Sequence, residues 1–153
     1  MIRFILWLIW SAAPTMICAQ VGDYAYDQKL ADSLGADERG MKMYVLAILR
    51  TGSKSEVSQA QRDSLMKGHF GFINSMAEKG LLVIAGPLEK NDQQFRGIYV
   101  FNVATVEEAR RMAEADPSIR SGFFALELFG FYGSAALPKL VPIHQKIQRQ
   151  KPG

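Results

Sequence analysis

The sequence has few of the residues that build disulfides and metal sites. Its 153 residues include one cysteine and two histidines, His69 and His144. Cys18 has no partner for an intrachain disulfide. A zinc site would need carboxylates for most of its ligands, which structural zinc sites rarely use. We therefore expect no metal and no cofactor, and a fold held by its core alone, for which a hydrophobic content of 48% is ample.

The sequence also lacks an apolar run of the ~20 residues that a membrane-spanning helix needs. Residues 4–10 form a short apolar run after Arg3, and Ala19 supplies a small residue at a cleavage site, which is typical of a secretory signal peptide. Cleavage after Ala19 would remove Cys18, leave no stable membrane span and place the mature chain outside the cytoplasm, secreted or periplasmic. An uncleaved anchor is one alternative. A lipid-modified Cys18 is another, which Ile17 directly before the cysteine disfavours.

An excess of positive charge is absent from the middle of the chain. The net charge is +3, and four of the basic residues lie after residue 138 without any acidic residue beside them: Lys139, Lys146, Arg149 and Lys151. A protein that binds nucleic acid carries its basic residues on one face of its fold. The nearly balanced middle of the chain therefore argues against a nucleic-acid partner.

These composition shifts divide the chain into four parts. We assign residues 1–19 to a signal peptide, 20–40 to an acidic linker, 41–138 to the folded domain and 139–153 to a basic tail. The tail is interpreted as a solvated, disordered segment. Alternatively, Ile143 and Ile147 would make it a short amphipathic segment that touches anionic lipid.

The hydrophobic pattern of the folded part alternates between strand and helix periods. It predicts strands at residues 43–49, 81–85, 97–103 and 123–132, and helices at about 57–79 and 105–115. Ser55 is the expected cap of the first helix, and Gly80 its expected end. Thr105 and Glu108 form a capping box for the second. The order β-α-β-β-α-β predicts an α+β fold of the ferredoxin-like kind, with a four-stranded antiparallel sheet and both helices on one face.

The predicted strands are apolar on both faces, yet two helices cover only one face of a sheet. In the last strand, Phe123, Phe129 and Phe131 alternate with other apolar residues. An uncovered apolar face is normally buried by another layer. We expect that layer to be the sheet of a second copy, giving a homodimer. The alternative is that the tail or the linker folds over the sheet.

Two residues are candidates for chemistry. His69 lies inside the apolar stripe of the first helix between Gly68 and Gly71, and two helix-weakening glycines suggest that something approaches the helix there. Asp116 follows the second helix, directly before Pro117. Each has a plain structural interpretation, because His69 suits a core position and an Asp-Pro pair commonly caps a helical turn.

Several motifs together resemble the YCII-related family. They are Lys67-Gly-His69, Gly80, Ala85-Gly-Pro-Leu88, and Ala113-Glu-Ala-Asp-Pro117 followed by Gly122, and the similarity spans about residues 42–132. The resemblance implies a small ferredoxin-like protein that dimerises through its sheet. It also implies a pocket with a catalytic pair formed by His69 and Asp116. Most members have no assigned reaction, and one relative is a dehydrochlorinase of a chlorinated hydroxyquinol.

The expected chemistry is proton transfer, because a carboxylate on one imidazole nitrogen leaves the other free to move a proton. We therefore predict a lyase or isomerase acting on a small cyclic or aromatic compound, with Gly86, Pro87 and Ser118 as substrate-binding residues. Plain alternatives are an ordinary turn at Gly86-Pro87 and a solvated Ser118. The competing function is a non-catalytic dimeric module that binds a small ligand or serves as an envelope scaffold.

Overall fold

A computed structural model describes residues 25–150 of the chain. The four strands are β1 (Met41–Thr51), β2 (Leu82–Pro87), β3 (Phe95–Phe101) and β4 (Phe124–Ser134). The helices are α1 (Gln28–Leu34), α2 (Gln59–Glu78), α3 (Val106–Ala113), α4 (Pro117–Arg120) and α5 (Leu140–Ile147), with a short 3-10 helix at Leu137–Lys139. The predicted signal peptide lies outside the described residues.

The four strands form one antiparallel sheet in the order β2-β3-β1-β4. The longer strands β1 and β4 pair along their whole lengths, from Met41 opposite Ser134 to Thr51 opposite Phe124. The crossover from β1 to β2 contains α2, and the crossover from β3 to β4 contains α3 and α4. This is the predicted ferredoxin-like arrangement, and the fold class is confirmed.

The ends of the helices follow from local hydrogen bonding. The Ser58 hydroxyl accepts from the Gln61 amide, and Gln61 reaches back to the Ser58 amide, so α2 begins with a capping box. The expected cap at Ser55 is therefore wrong by three residues. After α2, Gly80 has a φ of 69°, a left-handed conformation that glycine adopts without steric cost. Thr105 caps α3 as predicted.

The helix-covered face of the sheet carries the main core. Side chains that alternate along β1, including Val45, Ala47 and Leu49, pack with residues of α2, α3 and β3. This burial of apolar area is the main favourable contribution to the fold. Tyr99 of β3 lies opposite Ala47 on the same face, which places its hydroxyl beneath α2.

The other face of the sheet has a smaller cluster around Tyr44, Val83 and Val100. Leu137 of the 3-10 helix packs against this cluster, so the chain's own C-terminal part covers one end of the open face. Phe129 remains 47% exposed on that face. The face is thus partly covered from within the chain, by a residue of the segment assigned to the folded domain rather than by the predicted tail, which begins at Lys139.

Two flanking segments have more structure than their composition suggested. The linker contains α1, which Asp27 caps, and Asp37 accepts a hydrogen bond from the Tyr132 hydroxyl of β4. The tail contains α5, which packs near β2, so the expected disordered tail is wrong for residues 140–147. Within residues 25–150, no helix combines the length and the apolar character needed to cross a membrane.

Candidate functional site

His69 lies in the middle of α2 and is only 7% exposed. Its ring packs against the rings of Tyr99 and Phe124, with centroid distances of 5.9 and 5.4 Å. A Cβ atom on Gly68 would lie 2.9 Å from Cγ of Pro117, which is too close for a side chain without a shift of the neighbour. Gly68 therefore allows α4 to approach α2 beside His69, as the glycine spacing suggested. Gly71 has no such role, because nothing lies within 4 Å of the same position.

Asp116 joins α4 to His69 through both of its carboxylate oxygens and is fully buried. Oδ1 accepts from the Ser118 amide at 2.9 Å and from the Ser118 hydroxyl at 2.7 Å, which caps α4. Oδ2 lies 2.8 Å from Nδ1 of His69 and accepts from the Tyr99 hydroxyl at 2.9 Å. The helix cap and the partner of the histidine were alternatives in the sequence, and one side chain performs both roles.

Four residues thus form a closed polar group, the His69 cluster, consisting of His69, Tyr99, Asp116 and Ser118. Ser118 is fully buried, and its hydroxyl lies 3.1 Å from Nδ1 of His69, so it is not the solvated serine that the sequence also allowed. Sequence analysis missed Tyr99. The available signal was the strand period, because a tyrosine on the helix-covered face must find a partner for its hydroxyl.

The electrostatics of the cluster favour an ionised Asp116. Burial raises the pKa of this carboxyl, but the hydrogen bonds from His69 and Ser118 outweigh burial and leave the pKa below its usual value. Burial also raises the pKa of Tyr99, and the negative charge of Asp116 raises it further. At neutral pH the tyrosine is therefore a neutral donor to a carboxylate.

These proton positions determine the state of the imidazole. The hydroxyl protons of Tyr99 and Ser118 are both donated to Asp116, so each hydroxyl oxygen presents lone pairs toward Nδ1 of His69. Nδ1 must then carry a proton, since every polar atom around it is an acceptor. In a neutral ring, Nε2 is left with the lone pair. The Tyr99 oxygen, whose proton is already donated, lies 3.5 Å from Nε2. Nε2 is therefore the ring nitrogen that can accept a proton.

A cavity of about 430 Å³ adjoins the His69 cluster. Phe124 connects the two, because its ring both lines the cavity and packs edge-on against His69. We call this space the arginine cavity, after the two arginines in its wall. Its lining residues are Thr51, Ser55, Glu56, Arg62, Met66, Arg96, Phe123 and Phe124.

The remaining predicted residues lie away from this cavity. Gly86 and Pro87 end β2, an edge strand, and pair with Ile98 and Gly97. A Cβ atom on Gly97 would lie 2.8 Å from the Gly86 carbonyl oxygen, so Gly86 takes part in a close strand contact. Across residues 25–150, no hydrogen bond or cavity wall joins Gly86 or Pro87 to the His69 cluster.

A larger groove of about 810 Å³ lies between α5, α2 and β2, and His144 contributes to its wall. It is separate from the His69 cluster, since the two share no residue. The part of the chain that the structure describes contains no group of three or more histidine, cysteine, aspartate or glutamate side chains placed to hold a metal ion.

Comparison with known proteins finds similarity to solved structures and to one protein family. The chain resembles the solved structure of 5-chloro-2-hydroxyhydroquinone dehydrochlorinase from Burkholderia phenoliruptrix AC1100 in complex with 2,5-dihydroxybenzoquinone. The identity is 18% and the TM-score 0.40, over 56% of this chain and 90% of that chain. No curated protein matches the sequence. The model of the YCII-related domain matches residues 43–129, from β1 into β4, a span that includes both His69 and Asp116. The chain therefore belongs to the YCII-related domain family.

Proposed function

We propose that this protein is a small acid–base enzyme, a lyase or isomerase. His69 transfers the proton, and Asp116 orients the imidazole ring of His69. The observation that carries the proposal is the 2.8 Å contact between His69 Nδ1 and Oδ2 of the fully buried Asp116. A carboxylate in this position fixes the tautomer and stabilises the imidazolium that forms when Nε2 accepts a proton.

The residues around His69 favour reactions that need proton transfer by the imidazole and no second acid–base group. Tyr99 and Ser118 stabilise the charge of Asp116 by donating to it, so the carboxylate remains ionised while the imidazole cycles. The aromatic walls Phe123 and Phe124 suit a flat ring in the adjoining cavity. Isomerisation, elimination or addition on a small cyclic or aromatic compound are the reactions that such proton transfer supports.

Proton transfer can be measured before the full reaction is known. The protein would be incubated in D₂O with a panel of cyclic ketones, hydroxyquinones and chlorinated phenols, and proton NMR would follow exchange, elimination or isomerisation. His69→Gln is expected to lower any protein-dependent rate by about 10²- to 10⁴-fold, the usual contribution of a positioned acid–base group. Arg110→Gln, at an exposed position of α3 that lines neither cavity, is the control and should retain the rate. Equal rates in the wild type and His69→Gln would contradict the proposal.

A non-catalytic ligand-binding module is the second candidate. The observation that favours it is the burial of His69, which is 7% exposed and does not itself line the arginine cavity. On that account His69→Gln changes stability but leaves every chemical rate at background. The D₂O experiment therefore separates the two functions directly.

We infer that the protein forms a homodimer through the open face of its sheet. Exposed or half-buried apolar side chains, including Leu46, Ile48 and Phe129, lie on this face beyond the part that Leu137 covers. Phe129→Lys would place a charge in the centre of such an interface. Light scattering coupled to size exclusion should give twice the chain mass for the wild type and a lower mass for the variant. A monomeric wild type would contradict the inference.

We also infer that the chain is exported after cleavage at Ala19. The support is the order of Arg3, the short apolar run at residues 4–10 and the small residue at the cleavage site. N-terminal sequencing of the protein from a host with a secretory pathway should begin at Gln20. A mature N-terminus at Met1 would overturn this inference.

A further inference from the structure

The wall of the arginine cavity holds two guanidinium groups in fixed positions. The Arg62 guanidinium carbon lies 5.3 Å from the centre of the Phe123 ring, a cation–π contact that orients the side chain. The Nε of Arg96 donates to the Thr51 hydroxyl at 2.6 Å. Arg62 comes from the first turn of α2 and Arg96 from the start of β3, so two separate elements bring the charges to one cavity.

The charges of both arginines are available to a ligand. Within residues 25–150, the ion pairs are Arg50 with Glu127 and His69 with Asp116, and neither involves Arg62 or Arg96. Glu56 is the one acidic residue in the cavity wall, so the wall carries a net positive charge. Arg96 uses one of its five N–H donors on Thr51, which leaves the others for an acceptor.

Three of the other lining residues are apolar, and one of them, Phe124, contacts His69. Met66, Phe123 and Phe124 contribute apolar surface, and the ring of Phe124 also packs edge-on against the imidazole of His69. A volume of about 430 Å³ lies within the usual range of small-molecule sites. The cavity thus presents donors for an anionic group together with aromatic surface for a ring.

We propose that the arginine cavity binds a small aromatic acid, whose carboxylate or other anionic oxygen group contacts Arg62 and Arg96 while its ring packs on Phe123 and Phe124. Two guanidinium groups favour an anionic oxygen acceptor, because the planar fork of each donates two parallel hydrogen bonds to such a group. The assignment of this compound as the substrate of His69 rests on the proposed function. The binding preference itself does not.

The test compares benzoate with benzamide, its neutral analogue of nearly the same shape. Binding would be followed by NMR, using the side-chain Nε–H signals of Arg62 and Arg96 and the ring signals of Phe123 and Phe124. Benzoate should bind at least about tenfold more tightly than benzamide, and Arg62→Gln and Arg96→Gln should each weaken benzoate binding by about tenfold. Glu56→Gln should strengthen binding, and Arg110→Gln, on α3 outside the cavity, should leave it unchanged.

Three results would overturn the proposal. They are tighter or equal binding of benzamide, no binding of benzoate, and benzoate binding that neither arginine variant weakens. Since both arginines are exposed, their glutamine variants are expected to fold normally, and circular dichroism would verify this.

A His69→Gln arm keeps this proposal distinct from the proposed function. If His69→Gln binds benzoate normally but loses the proton-transfer rate, both proposals stand. If His69→Gln binds benzoate normally but even the wild type gives no protein-dependent rate with any compound of the panel, the anion site stands and the enzyme proposal fails. If the wild type does not prefer benzoate over benzamide, the proposed anion site alone fails.

Discussion

Two contacts between a nitrogen donor and a carboxylate lie on opposite faces of the sheet and have nearly the same length. Arg50 lies 2.6 Å from Glu127, and His69 lies 2.8 Å from Asp116. The side chains of the first pair are 40% and 38% exposed, whereas those of the second are 10% and 0% exposed. Water screens and solvates the first pair but not the second. The surroundings of the His69–Asp116 pair, rather than its length, therefore make it both structurally sensitive and suited to chemistry.

The largest expected difference between the pairs comes from removing each carboxylate. Asp116→Ala should lower the free energy of unfolding by about 3–5 kcal/mol, because it leaves buried donors without an acceptor. Glu127→Ala should cost about 1 kcal/mol or less, since the pair is exposed. Urea denaturation at neutral pH measures both. Equal losses would show that burial does not distinguish the two pairs.

A smaller loss of stability is expected from changing Tyr99, which hydrogen-bonds to the buried His69–Asp116 pair and not to the Arg50–Glu127 pair. Tyr99→Phe keeps the packing of the ring and removes the hydroxyl that donates to Asp116. Hydrogen bonds to charged groups contribute about 1.5–3 kcal/mol, so a loss of this size is predicted for the variant. Tyr44→Phe is a useful control, because its hydroxyl donates to the uncharged carbonyl of Ser134. If the free energy of unfolding falls equally in both variants, the charge of Asp116 does not strengthen its hydrogen bond with Tyr99.

The two glycines beside His69 offer a matched test of how α2 and α4 hold the buried pair together. Gly68→Ala would push Pro117 away from α2, and overpacking of this kind typically costs about 1–3 kcal/mol, partly offset by the better helix propensity of alanine. Gly71→Ala meets no neighbour and should stabilise the protein by up to about 1 kcal/mol. Thermal and urea unfolding of both variants should therefore give opposite signs. The same sign in both would contradict the close approach at Gly68.

Lowering the pH should weaken the buried His69–Asp116 pair and reduce the stability of the folded protein. The pKa of Asp116 in the folded protein lies below its ordinary value of 3.8, so the folded state favours the ionised carboxylate. Its contribution to stability is fully present above that ordinary value and is lost as the pH falls through the folded pKa. Stability curves between pH 2 and 7 should be less steep on the acidic side for Asp116→Asn than for the wild type. An unchanged slope in Asp116→Asn would count against an ionised Asp116.

The fold was predictable because the caps and turn residues of each element agree with the hydrophobic pattern along the chain. The change from strand to helix period at α2, the glycine at its end and the Thr105 cap each mark an element that the structure contains. The predicted limits of β4 were wrong by one or two residues, since Phe123 lies just before the strand and the strand continues past the last aromatic residue, Tyr132, to Ser134. The helix in the tail was missed because α5 lies against β2, which is distant in the sequence.

The candidate site was predictable only in part. The glycines and the Asp-Pro pair are local signals that marked His69 and Asp116 as candidates, and the resemblance to the YCII-related family supplied their pairing. The role of Tyr99 depends on strand register, which pairs it with Ala47 and Ala85 and which no local motif encodes. The arginine cavity depends on the meeting of α2, β1, β3 and β4, so Arg62 and Arg96 carried no signal in the sequence.

The most direct test of the account is the tautomer of His69 in the neutral ring, measured by nitrogen-15 NMR with two-bond correlations. His69 and His144 are the two histidines of the chain, so His144→Gln identifies the signals. We predict a proton on Nδ1, donated to Asp116, and a lone pair on Nε2 that can accept a proton from a substrate. A proton on Nε2 instead would mean that His69 has no free basic nitrogen in this arrangement and would contradict the proposed acid–base role.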